Sequence, residues 1–162
     1  IIKKQSIMFK SLKTNGGFSL IELIVAITIL AGFMVSAIYL VNPVGNLAKS
    51  KDAQRKNNLI TILNGVSQRI ADNKGIFETG CIAGVIPTTP KKMAIGAGNY
   101  DIGPCLVAAY LATMPYDPKA TGAHWTSVTD YDTGYNIFKD SVTGRITVSA
   151  PDAELTTITY IR

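Results

Sequence analysis

The stretch LIVAITILAGFMVSAIYLV, residues 23–41, contains no charged residue and is rich in Ile, Leu, Val and Ala. Nineteen helical residues span about 28 Å, which is close to the thickness of the hydrocarbon core of a bilayer. A core helix of a soluble protein seldom continues this far without a polar face. The stretch therefore predicts a helix over residues 18–41 that crosses a membrane.

Charge is distributed unevenly around this apolar stretch. Residues 1–17 contain no acid and four lysines: Lys3, Lys4, Lys10 and Lys13. By the positive-inside rule, these lysines keep the N-terminus in the cytoplasm and place residues 42–162 across the membrane. Removing them from the sixteen basic residues leaves twelve bases against eleven acids from Phe18 onward. The basic character is therefore mainly a topology signal, and it gives little support for nucleic acid as a direct partner.

The start of the apolar stretch carries a recognisable motif. An ordinary secretory signal peptide has a shorter apolar region that ends at a small-residue cleavage site. The run GGFSLIELI, residues 16–24, instead resembles the processing site of type IV prepilins and the related pseudopilins. In that family a short basic leader ends in Gly, and Phe, Ser, Leu, an aliphatic residue, Glu and a long apolar helix follow. The resemblance is strong over residues 8–41.

This resemblance implies a processing step and a cleaved leader, residues 1–17. A prepilin peptidase in the membrane would cut after Gly17 and methylate the new amino group of Phe18. Gly17 has no side chain, so the peptide is able to enter an active site closely. A leader starting at Met8 would have ten residues, and the sequence leaves open whether Ile1 or Met8 is the start.

The single acid near the start of the helix, Glu22, calls for an explanation because a carboxylate in hydrocarbon is costly. In a filament of the implied kind, its partner would be the amine of Phe18 on a neighbouring subunit. Opposite charges attract strongly in a low dielectric and would set the axial register of assembly. The alternative is a carboxylate that lies at the headgroup interface without a role.

The sequence VNPVG, residues 41–45, interrupts the helical pattern, because proline removes a helical hydrogen bond and disfavours helix at the preceding residue. We expect a kink at residues 42–45. Beyond it, apolar residues recur at helical spacing: Leu59, Leu63, Val66 and Ile70. They predict an amphipathic helix over residues 46–73 whose second half docks on a globular domain, with Gly75 as the candidate C-cap.

The basic cluster at residues 49–56 of this helix has two interpretations. It is either a solvated face or a surface that contacts the slightly acidic C-terminal halves of neighbouring subunits.

Residues 75–162 predict a globular head outside the cytoplasm. Gly, Pro and Thr in residues 76–102 indicate a long loop, and Cys105–Leu111 predicts a short helix with Pro104 in its first turn. Alternating polar and apolar residues and a high content of Thr, Ile and Tyr predict three antiparallel strands. They lie at residues 135–139, 145–149 and 155–161. A long N-terminal helix packed on a small antiparallel sheet is an α+β fold, which is also the fold that the pilin resemblance implies.

Two groups of residues in the head are candidates for structural chemistry. Cys81 and Cys105 are an even pair in a compartment where disulfides persist, so we expect a bridge, with two free thiols as the alternative. Asp130, Asp132 and Asp140 offer hard oxygen ligands for Ca²⁺, and the major pseudopilins carry calcium in a comparable loop. Their spacing does not match an EF-hand, and no other cofactor is expected.

The sequence predicts a protein that is not an enzyme. His124 is the single histidine, and phosphate-binding loops, nucleophile elbows and paired metal-ligand motifs are missing from the sequence. We expect a subunit of a type IV pilus-like filament, a homo-oligomer on the cell surface built by an inner-membrane assembly platform. A pseudopilin of a type II secretion system is the alternative within the superfamily, and a membrane-anchored binding domain that never polymerises is the alternative from another class.

Overall fold

The computed structural model describes residues 17–162. The predicted leader, apart from Gly17, and the candidate start Met8 lie outside the described residues. Contacts divide the chain into two compact units, of which the first ends at Asn42 and the second is Pro43–Arg162.

Two helices occupy the N-terminal part of the described chain. Helix α1 is Leu20–Val41, with Ser19 in extended conformation at its N-cap. Asn42 then takes a left-handed backbone conformation with φ 42°, and helix α2, Pro43–Asp72, begins directly after it. Proline suits the first position of a helix because its missing N–H would have no helical partner there. The helix is therefore interrupted at Asn42, and Pro43 to Gly45 form the first turn of α2.

The end of α2 is closed by a hydrogen bond from the Gly75 N–H to the Ile70 carbonyl at 2.8 Å. Lys74, with φ 57°, is the left-handed residue that directly follows the helical turn, and Gly75 also has positive φ. This 6→1 hydrogen bond is typical of a Schellman motif. Lys74 takes the left-handed position after the helix, and Gly75, the predicted C-cap residue, follows it.

The C-terminal part forms a five-stranded antiparallel sheet and one short helix, α3. Their bounds are β1 Lys91–Ala94, α3 Gly103–Leu106, β2 His124–Ser127, β3 Asp130–Lys139, β4 Ile146–Ala150 and β5 Ile158–Ile161. The strand order is β1-β3-β4-β5, and β2 pairs with β3. Long helices followed by this antiparallel sheet confirm the predicted α+β class.

Some predicted bounds are wrong. Neither β1 nor β2 is among the three strands that the sequence predicts, and the helix predicted to reach Leu111 ends at Leu106. Strand β3 starts five residues before the predicted position because Gly134 does not end the strand. It sits in an irregularity of the β1–β3 pairing, where Lys92 faces Asn136 while Ala94 faces Asp132.

Gly134 is required at this irregularity for two reasons. Its φ is +71°, which side-chain-bearing residues rarely adopt. A Cβ built there would lie 2.9 Å from the Ala120 Cβ and 3.1 Å from the Asp117 Cβ. The glycine therefore lets the loop that carries Asp117 pack directly on β3.

The core of the head forms between α2 and the sheet, and α2 contacts β4, β5 and α3. Leu59, Leu63 and Val66 of the predicted apolar stripe are buried, and Ile62 joins them. Ile70, the fourth predicted member, is only partly buried at the edge of this core.

A buried ion cluster joins α2 to two loops of the head. Arg55 is 0% exposed and donates from Nε and Nη2 to the two carboxylate oxygens of Asp117, at 2.7 and 2.9 Å. Its Nη1 donates to Asp52 at 2.8 Å. Asp52 in turn accepts the backbone N–H groups of Glu154 and Leu155 at 3.1 and 3.0 Å. We call Asp52, Arg55 and Asp117 the buried ion cluster.

Neither interpretation of the basic segment at 49–56 applies to Arg55. Lys49 and Lys56 are exposed, but Arg55 points inward and its charge is balanced within the same chain. Burial alone would raise the pKa of Asp117. Hydrogen bonds from Arg55 and from the Lys119 and Ala120 N–H groups outweigh that effect and hold its pKa below the usual value.

A second set of contacts ties the loop after α2 to the helix. Cys81 and Cys105 form a disulfide with a Cα–Cα distance of 5.3 Å. Arg69, which is also buried, donates to the carbonyls of Phe77 at 2.9 Å, Thr79 at 2.6 Å and Cys105 at 2.9 Å. The guanidinium thus holds both ends of the segment that the disulfide closes.

We predict that the double variant Cys81→Ala, Cys105→Ala remains folded and loses about 3 kcal/mol of unfolding free energy, because the bridge no longer restricts the unfolded chain. The Arg69 contacts keep the segment in place. Guanidinium unfolding of the full chain, followed by near-UV circular dichroism, measures the loss. Dithiothreitol should lower the stability of the wild type and leave the variant unchanged. Equal stability of the variant and the oxidised wild type would contradict the prediction.

We also predict that the wild type loses stability as the pH falls below about 4. The lowered pKa values of Asp52 and Asp117 stabilise the fold above the unfolded-state pKa, and this stabilisation disappears as the folded carboxylates take up protons. Asp117→Asn should cost about 3 kcal/mol at neutral pH, because Arg55 loses its buried partner, and should weaken the acid dependence. Asp72→Asn, at an exposed position of the same helix, is the control. A pH profile of Asp117→Asn parallel to that of the wild type would refute this assignment.

Candidate processing and assembly segment

The predicted cleavage site lies in non-helical backbone directly before α1. Residues 17–19 are outside the helix, and Phe18 is 82% exposed. The first helical hydrogen bond that reaches this segment runs from the Leu23 N–H to the Ser19 carbonyl at 3.1 Å. A protease binds extended backbone more readily than helix, because helical peptide groups are already paired. The Gly17–Phe18 bond is therefore available to an enzyme.

Packing within residues 17–162 does not require glycine at position 17, because a Cβ built there has no atom within 4 Å. A requirement for glycine at this position is what a close-fitting peptidase site would impose.

Glu22 lies in the first turn of α1, where a carboxylate is favourable because the helix dipole is positive there. Ser19 and Glu22 have the spacing of a capping box, a signal in the sequence that locates the N-cap. Ser19 makes no side-chain cap bond. Within residues 17–162 the exposed Glu22 carboxylate has no hydrogen bond or ion pair, so it is available to a partner outside this chain.

The surface of α1 is apolar on every side and uncovered. Its described side chains are all exposed. The helical stretch that begins at Leu20 contains an apolar window of 18 residues, long enough to cross a membrane, and 0% of that window is buried. The hydroxyls of Thr28 and Ser36 are satisfied inside the helix, since Thr28 donates to the Val25 carbonyl at 2.8 Å and Ser36 to the Gly32 carbonyl at 2.9 Å. This surface suits contact with lipid or with other apolar helices.

The three candidate calcium ligands are engaged in separate contacts. Asp130 lies 3.1 Å from His124 Nε2, Asp132 pairs with Lys92, and Asp140 accepts the N–H groups of Val142 and Thr143 within its own turn. Asp130 and Asp132 belong to β3 rather than to a loop. In the described part of the chain, no group of three or more His, Cys, Asp or Glu side chains is arranged to hold a metal ion.

His124 lies exposed on β2. Its hydrogen bond to the Gly122 carbonyl, and then its contact with Asp130, raise its pKa above the usual value. Among residues 17–162, the only other His or Cys side chains are the two cysteines of the disulfide.

Comparison with known proteins identifies the N-terminal segment. The family described as the prokaryotic N-terminal methylation motif matches residues 12–38. This match contains the predicted cleavage site, Glu22 and most of α1. It supports a type IV pilin-like prepilin with a class III signal peptide, as the residues predict, and implies processing by a prepilin peptidase. No curated protein and no solved structure gives a significant match to the chain.

We predict that Gly17→Val blocks processing while leaving the fold intact, because the chain has space for the side chain and a close-fitting peptidase does not. Mass spectrometry of the N-terminus, after expression with a prepilin peptidase, distinguishes the precursor from the chain that starts at Phe18. Gly32→Val is the matched control, since a Cβ at Gly32 also has no atom within 4 Å. Complete cleavage of Gly17→Val would contradict the prediction.

Proposed function

We propose that this protein is the structural subunit of a type IV pilus-like helical filament. The observation that carries the proposal is α1, which directly follows the processing motif and exposes an apolar surface that the chain itself does not bury. In the proposed filament this surface is buried first in the lipid of the membrane and then, after assembly, against other copies of α1.

Before assembly, the subunit would be a single-pass protein of the cytoplasmic membrane. The lysines of residues 1–17 favour an N-terminus in the cytoplasm. The head would then lie outside the cytoplasm, which agrees with the Cys81–Cys105 disulfide, because such bonds persist in oxidising compartments.

Assembly would transfer α1 from lipid into a filament core made of identical helices, driven by an inner-membrane platform. The transfer is feasible because both environments are apolar and because Thr28 and Ser36 keep their hydroxyls bonded within the helix. Repeating one head-to-tail contact produces an open polymer on the cell surface.

Glu22 would set the register of this polymer. Cleavage after Gly17 creates a charged amine on Phe18, whether or not it is methylated, and burying an unpaired charge is costly. The free carboxylate of Glu22 on a neighbouring subunit would neutralise it. Each helix then has one position along its neighbour at which both charges are paired.

A pseudopilin of a type II secretion system is the second candidate, because it would use the same processing and packing. The neighbouring genes would distinguish a pilus subunit from a secretion pseudopilin. A membrane-anchored binding domain that does not polymerise is the third candidate. It would use α1 only as an anchor, and Glu22 would then have no partner to meet.

We predict that Glu22→Ala reduces sheared filaments at least tenfold while the processed subunit accumulates in the membrane. The missing carboxylate leaves the Phe18 amine unpaired, whereas membrane anchoring depends on the apolar surface alone. Electron microscopy and immunoblots of sheared and membrane fractions measure both quantities. Glu78→Ala, which removes an exposed acid from the head, is the control and should assemble normally. Normal filaments of Glu22→Ala would contradict the assembly role, and wild-type cells without polymer would favour the simple anchor.

A further inference from the structure

A groove of about 400 Å³ opens on the head between α2 and the loop that follows α3. Its walls come from three segments that are distant in sequence: Gln54 and Asn58 of α2, Thr113 and Tyr116 of the loop, and Trp125 of β2. None of the residues that line it is charged. A volume of this size is in the range of small-molecule sites.

Two aromatic side chains contribute apolar surface to the groove. Trp125 is partly buried, and its ring packs against the buried Tyr131 with a centroid distance of 5.6 Å. Tyr116 is 44% exposed. An aromatic ring supported from behind offers a large contact area at a small entropic cost, since few torsions have to be fixed on binding.

Polar groups lie beside these rings and are able to form further hydrogen bonds. Asn58 donates from Nδ2 to the Tyr116 carbonyl at 2.9 Å and to the Tyr135 hydroxyl at 3.0 Å, which fixes its amide. Within residues 17–162 the Gln54 amide and the Trp125 indole N–H make no hydrogen bond. The groove thus combines apolar faces with donors and acceptors that the described residues leave unpaired.

We propose that this groove binds a neutral carbohydrate. A sugar ring has an apolar C–H face that packs on an aromatic ring and a rim of hydroxyl groups that donate and accept hydrogen bonds. A purely apolar ligand would leave the amides unpaired, at a cost for each lost bond. An ionic ligand would find no counter-charge in the lining. The proposal concerns the single subunit and does not depend on filament assembly.

Trp125 makes the test direct, because it is the single tryptophan of the chain. The full chain, solubilised in a detergent without a sugar headgroup, is titrated with cellotriose and with triacetylchitotriose, both of which are neutral, while tryptophan fluorescence is recorded. We expect a saturable change with at least one of them. Their relative affinity distinguishes a plain glucan from an amino-sugar polymer. Trigalacturonate, which is anionic, should bind at least tenfold more weakly than the better neutral sugar.

Gln54→Ala should weaken binding about fivefold, the effect of losing one hydrogen bond. Gln68→Ala, which removes the same side chain from another exposed position of α2, should bind like the wild type. Circular dichroism establishes that both variants are folded. The proposal is overturned if no sugar gives a saturable change, if trigalacturonate binds most tightly, or if the two variants bind equally.

Discussion

The 22-residue helix α1 imposes the constraint on which the rest of the molecule depends: its described apolar side chains are all exposed within residues 17–162. Water is a poor environment for such a surface, so the helix requires lipid or a partner of similar polarity at every stage. The processing motif, the basic residues before it and the carboxylate of Glu22 are all placed at one end of this helix. In the proposed filament they would control when and how this surface passes from lipid to other helices, while the head would take no part in that transfer.

The head is stabilised by an apolar core and by the buried ion cluster. Pro43–Arg162 is a compact unit with a continuous apolar core between α2 and the sheet. The buried ion cluster connects α2 to the loop before β2 and to the loop before β5 through hydrogen bonds to both carboxylates. Buried charges of this kind stabilise little on average, but a missing partner costs several kcal/mol, so the cluster specifies one position for each loop.

The sequence predicts the parts of the fold that depend on local pattern. The apolar run, the methylation motif and the stripe of Leu59, Leu63 and Val66 identify α1 and α2, and alternation locates β4. Contacts between distant residues escape such patterns. The burial of Arg55 depends on Asp117, 62 residues away, and the early start of β3 depends on how Gly134 meets Ala120. The lining of the groove likewise comes from three segments whose proximity no periodicity indicates. Glu22 can be recognised from the sequence alone, because a single carboxylate at the start of a long apolar run is unusual whatever the fold.

The pairing of Cys81 with Cys105 has a consequence for any polymer of this chain. These are the two cysteines of the sequence, and each is bonded to the other. Residues 1–162 of an oxidised subunit therefore offer no free thiol to a neighbour. In the proposed filament, a reducing agent would act on a bond inside each head and would cut no disulfide between these residues of neighbouring subunits.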